Sequence, residues 1–160
     1  MSALAIELDA LVDTRPLWDA WLADAARRYA AIAGLDPSAL PRDRAAAAAA
    51  LDEWAAHGVG DWRAALGRFA EDHAGVHVRR DAAVAGALRS LGGEGRRLGV
   101  FTDAPEPLAR VVLEQLGAAR RLAAVESGAD ALARVRARLG DGADVVHTRD
   151  ELLRRAGYDQ

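Results

Sequence analysis

The stretch AIELDALVDT, residues 5–14, decides how this chain is read. An apolar run from Ala3 leads directly into Glu7, Asp9 and Asp13. Residues 3–8 predict a short buried strand with carboxylates at its exit. Whether that exit is built for chemistry depends on what the rest of the chain brings beside it.

Working outward, residues 15–91 predict only helices. Thr14 is placed to cap the first, with Pro16 in its opening turn. Trp18, Trp21, Leu22, Ala25, Tyr29 and Ile32 follow at helical spacing, and Gly34 and Pro37 end the run. A second helix is expected over 41–57 through the alanine tract 45–50, a third from Asp61, and a fourth after Asp81. From residue 92 the pattern alternates. Strands are expected at 96–103, 121–127 and 143–148, with helices at 105–116, 129–139 and 150–156.

Such alternation argues for an α/β fold with a parallel sheet flanked by helices. The first strand joins that sheet, making 1–14 and 92–160 a Rossmann-like core and 15–91 an inserted all-helical cap. Sites in open parallel sheets form at the carboxyl ends of the strands. Those ends carry Glu7 and Asp9, Thr102 and Asp103, Glu126 and Ser127, and His147, Thr148 and Asp150.

Composition narrows the chemistry. The 160 residues allow one domain with a real core, and 51% hydrophobic content argues against disorder. The net charge of −3 gives no reason to expect a nucleic acid or membrane partner. Without cysteine there are no disulfides, thiolate metal sites or Cys nucleophiles. All 21 basic residues are arginines, so a mechanism needing a lysine ammonium is closed. With no secretory signal or bilayer-length apolar stretch, a cytoplasmic location is expected.

The layout resembles the haloacid dehalogenase (HAD) superfamily, in particular its phosphoglycolate-phosphatase-like branch with a helical cap inserted after the first motif. Four segments carry the resemblance. Glu7-Leu8-Asp9-Ala10-Leu11-Val12-Asp13-Thr14 follows the family's first motif, with Glu7 at the nucleophilic aspartate and Asp9 at the acid/base aspartate. Ala10 replaces the motif's glycine, and the threonine after it is missing. Gly99-Val100-Phe101-Thr102-Asp103-Ala104-Pro105 matches the second motif best. The third motif's lysine is absent, since Ser127-Gly128 runs straight into Ala129-Asp130; Arg134 is a substitute by charge only. Val145-Val146-His147-Thr148-Arg149-Asp150-Glu151 places Asp150 on the fourth motif's first aspartate, with a shortened loop.

The resemblance implies a catalytic set of Glu7, Asp9 and Thr102, phosphate contacts from Thr102 and Asp103, and Mg²⁺ held by Glu7, Asp9 and Asp150. It also implies that the machinery is eroded. Glu7 carries its carboxylate roughly 1 Å further out than aspartate, and errors on that scale cost on the order of 100-fold. A lost electrostatic donor costs about 3–4 kcal/mol of transition-state stabilisation. The expected function is thus a weakly active or inactive phosphatase-like protein with a binding or regulatory role. The alternative is an active Mg²⁺-dependent phosphatase of a small phosphate ester, and without activity no cofactor is expected. The expected partner is a small phosphorylated molecule or a protein.

Simpler roles stand beside these. Thr102 suits capping of the helix at Pro105, and Asp150 suits capping of the last helix. His73 and His77 have a spacing that can hold zinc, but no third ligand is evident, and they read as surface residues. Arg79 and Arg80 could approach a phosphate between cap and core, or form a solvated charge pair. The alanine-rich helix is the candidate surface for a homodimer or other partner.

Overall fold

The computed structural model describes residues 2–158. Four parallel strands form one sheet: β1 (Ala3–Glu7), β2 (Arg97–Thr102), β3 (Ala124–Ser127) and β4 (Asp144–Val146), in the order β3-β2-β1-β4. Glu7 pairs with Phe101, Thr102 with Ser127, and Ile6 with Val146. The carboxyl ends of all four strands therefore lie along one rim.

Side-chain alternation on β1 explains its central position. Leu4 and Ile6 point to one face, where they join Leu98, Val100 and Val146 in the main core. Ala3 and Ala5 point to the other, where Val135 and Leu139 of helix α7 (Ala131–Leu139) cover them. Small residues on that face let α7 approach closely, most of all at Gly99 of β2.

Between β1 and β2 run α1 (Leu8–Leu11), α2 (Arg15–Ala33), α3 (Arg44–Trp54), α4 (Trp62–His77) and α5 (Ala82–Gly93). The remaining helices are α6 (Glu106–Leu116) and α8 (Arg149–Arg155). Asp43, Asp61 and Asp81 cap α3, α4 and α5 by accepting backbone N–H bonds. Gly34 and Gly117 end α2 and α6 in the left-handed conformation, at φ 68° and 69°. Trp21, Leu51 and Trp62 of the inserted helices share a single core with Leu4 and Ile6 of the sheet. Helix α4 packs on α6, and α5 packs on α8. Among the described residues no helix is long and apolar enough to cross a membrane.

Several local expectations differ from the structure. The strand stops at Glu7, and Leu8–Leu11 form a single helical turn that buries Leu8, Ala10 and Leu11. Ile32 lies off the buried face of α2 at 62% exposure. The second inserted helix starts at Arg44 rather than 41, because Asp43 is its cap, and gives way to a π-turn at Ala55–Val59. Thr14 precedes α2 without capping it through its side chain. Pro105, not Thr102, is the N-cap residue of α6, and Thr148, not Asp150, caps α8 by accepting from Glu151 N.

Candidate functional site

The rim of the sheet carries Glu7, Thr102, Ser127 and His147, as strand order requires. What these side chains do there follows from their partners. The Glu7 carboxylate lies 2.9 Å from His147 Nδ1, across the exits of the paired strands β1 and β4. The imidazole also meets the edge of Phe101, with ring centroids 5.9 Å apart. Glu7 thus points along the rim toward β4.

Asp9 sits on the α1 turn, which carries its carboxylate back toward the start of α2. One oxygen, Oδ1, accepts from the Thr14 backbone N–H at 2.9 Å and from the Thr14 hydroxyl at 2.7 Å. The other, Oδ2, lies 3.7 Å from Arg44 Nη1. The Thr14 side chain is spent on this network, which is why it does not cap α2.

Arg44 is the residue that composition and motif reading missed. Its side chain is only 8% exposed. Nη1 approaches Asp103 Oδ1 at 3.2 Å as well as Asp9, while Nη2 donates to the Thr14 hydroxyl. Its guanidinium lies over Trp18, with Cζ 5.8 Å from the ring centroid. Trp18 Nε1 in turn donates to the Arg42 carbonyl at 2.9 Å, fixing the chain just before α3. A buried guanidinium requires such partners, because an unpaired charge in this position carries a large desolvation cost. Arg44 therefore joins the inserted helices to the exits of β1 and β2.

Thr102 is 2% exposed, and its hydroxyl accepts from the Ala104 N–H at 3.1 Å. Its carbonyl accepts from the Gly128 N–H, tying the β2 exit to the β3 loop. Asp103 is turned outward toward Arg44. Asp150 lies in the first turn of α8. Asp13 is held by Arg15, whose guanidinium lowers its carboxyl below the ordinary aspartate value. Arg134 bonds Glu126 and the carbonyls of Ser127 and Ala129, so it braces the β3–α7 loop. His73 stacks on Phe69 at 4.0 Å between centroids, away from the rim.

A cavity of about 440 Å³ opens beside Arg44, between α3 and the β2 and β3 exits, with Asp103, Arg63, Ser127 and Gly128 in its lining. It has room for a small polar molecule.

These residues do not fit the Mg²⁺ that the resemblance implies. Among the described residues no group of three or more His, Asp or Glu side chains is placed to hold a metal. Asp9 has one carboxylate oxygen filled by Thr14 and the other facing a guanidinium, while Glu7 is turned to His147. An octahedral cation needs those lone pairs free.

No family model matches the chain, and no curated protein matches it. Solved structures do. A HAD phosphatase from Thermococcus onnurineus aligns with TM-score 0.51 and 17% identity, over 79% of this chain and 62% of that one. This chain thus spans less than two thirds of that protein. A provisionally assigned beta-phosphoglucomutase from Thermotoga maritima aligns with TM-score 0.54 and 18% identity, over 98% of this chain and 82% of that one. With its central β1, its parallel order β3-β2-β1-β4 and its helices between β1 and β2, the chain has the HAD-like fold.

Proposed function

We propose that this is a HAD-fold protein with little or no phosphohydrolase activity, retained for a binding or regulatory role at the strand-end rim. The observation that carries this reading is Arg44. Its buried guanidinium supplies the positive charge facing Asp9 and Asp103. A phosphatase of this fold would instead turn such carboxylates toward a metal and a leaving oxygen. Phosphoryl transfer depends on positioning and charge neutralisation, and is correspondingly intolerant of this rearrangement.

Two further features support the reading. Glu7, in the nucleophile position, is directed at His147 rather than into the cavity beside Arg44. The chain also has no lysine to hold the phosphoryl oxygens. The room beside Arg44 suits a small phosphorylated molecule held without turnover, with Arg63 and the Gly128 loop nearby.

The test is hydrolysis of p-nitrophenyl phosphate with Mg²⁺. The expected result is no turnover above buffer background, for both the wild type and Glu7→Asp. Turnover that Asp9→Asn abolishes would overturn the proposal and restore the phosphatase reading.

A further inference from the structure

A second cavity, of about 520 Å³, lies away from Arg44, between α5 and the turn that follows α6. It shares no residue with the cavity beside Arg44. Three arginines from three separate segments contribute to its lining: Arg80 before α5, Arg89 within α5, and Arg121 at the end of the 3-10 turn Ala119–Arg121. Apolar side chains line it as well: Leu11, Leu88 and Leu116.

The charge balance of this cavity is uneven. Its one carboxylate, Asp81, is already committed. It bonds Arg149 at 2.6 Å and caps α5 through the N–H groups of Ala83 and Val84. Arg80 Nε donates to the Gln115 carbonyl at 2.9 Å, which fixes that guanidinium at the end of α6 and neutralises no charge. Among the described residues Arg89 and Arg121 have no carboxylate partner. In a chain of net charge −3, three arginines thus border one apolar-lined hollow whose only lining carboxylate among the described residues is the committed Asp81. Guanidinium groups bind carboxylate and phosphate oxygens in a forked geometry that rewards this clustering. The volume falls within the range typical of small-ligand sites.

We propose that this cavity binds a small anionic amphiphile, with a carboxylate or phosphate head among Arg80, Arg89 and Arg121 and a short apolar body against Leu11, Leu88 and Leu116. Inorganic anions satisfy only the arginines, and uncharged hydrocarbons only the leucines. The site therefore favours molecules that carry both.

Calorimetric titration with octyl phosphate and with octanoate, both kept monomeric, tests this, with inorganic phosphate as the third arm. The expected result is saturable one-to-one binding of at least one amphiphile, and much weaker binding of inorganic phosphate. Arg89 and Arg121 are exposed, so Arg89→Ala/Arg121→Ala is expected to fold normally, as circular dichroism checks. Its affinity should fall by about tenfold or more, the scale of lost charge-assisted hydrogen bonds. Arg27→Ala, on the exposed side of α2, should bind as the wild type does. Absence of amphiphile binding, unchanged affinity in the folded double variant, or inorganic phosphate binding as tightly as octyl phosphate would each overturn the proposal.

Discussion

Arg44 and Asp103, 59 positions apart in sequence, meet at 3.2 Å over the exit of β2, and the guanidinium end of this contact is buried. The same guanidinium reaches Asp9 and Thr14 at the exit of β1. One side chain thus fastens the inserted helices to two strands of the sheet, at the place where a cleft in this fold would open.

Removing that guanidinium leaves the Thr14 hydroxyl and two carboxylates without their shared cation, and a void against Trp18. Loss of one partner from a fully buried ion pair costs about 3–5 kcal/mol. Here Asp9 and Asp103 are 35% and 68% exposed, so water compensates part of the loss. Arg44→Ala should therefore destabilise by about 1–3 kcal/mol, which for a domain of this size lowers Tm by about 3–10 °C. Arg44→Lys should fall between, because it keeps charge and loses the fork. Asp103→Asn should cost least. Thermal melts of the three variants check the order, and a larger loss in Asp103→Asn than in Arg44→Ala would contradict the geometry.

Much of the fold was legible because the signals are local. Strands β1 and β2 end where apolar runs meet Glu7 and Thr102, and α5 begins where Asp81 supplies a cap. The rim follows from strand alternation together with parallel order. The site was legible only as a set of addresses. Nothing distinguishes Arg44 from the other 20 arginines in the sequence, since its role arises when α3 folds over a strand exit far away in the chain. Glu7 and His147 each stand at a strand exit, yet their contact spans 140 positions and depends on β4 lying beside β1. Thr14 holds the N-cap position of α2 but makes no side-chain cap bond, whereas Pro105 and Thr148, not Thr102 and Asp150, hold the N-cap positions of α6 and α8. A cap reads as local, but the Thr14 hydroxyl is claimed by Asp9 and Arg44 once the tertiary fold exists.

The close approach of α7 to the sheet makes a second prediction. A Cβ added at Gly99 would lie 2.8 Å from Leu139 Cδ1, 3.0 Å from Val135 Cγ1 and 3.4 Å from the Ala124 carbonyl. Val135 is fully buried and has little room to move. Overpacking of this kind costs about 1–3 kcal/mol, so Gly99→Ala should lower the urea midpoint accordingly. Gly92 is the control. It lies in α5 with nothing within 4 Å of its added Cβ, so Gly92→Ala should be neutral or stabilise by about 0.5–1 kcal/mol. Equal midpoints for the two variants would show that α7 yields freely.

The last prediction concerns acid. The Arg149 side chain, bonded to Asp81, is the largest cause holding the Asp81 carboxyl below its ordinary value of 3.8, and the Val84 and Ala83 N–H groups add to it. A carboxyl whose pKa is depressed on folding stabilises the native state fully above its unfolded value. It loses that contribution as pH falls through the folded one. The Asp81 contribution should therefore be complete at pH 5 and above, and disappear progressively below about pH 4. Asp81→Asn separates charge from capping, because asparagine caps a helix about as well as aspartate. The variant should be less stable than the wild type at pH 6, and the gap should close as pH drops toward 2. Asp13, Asp36, Asp52 and Glu126 are also lowered, and they give both proteins a common acid slope. The informative quantity is thus the difference between the two urea-midpoint curves. Curves that run parallel from pH 6 to pH 2 would mean that the contact between α8 and the start of α5 contributes nothing through charge.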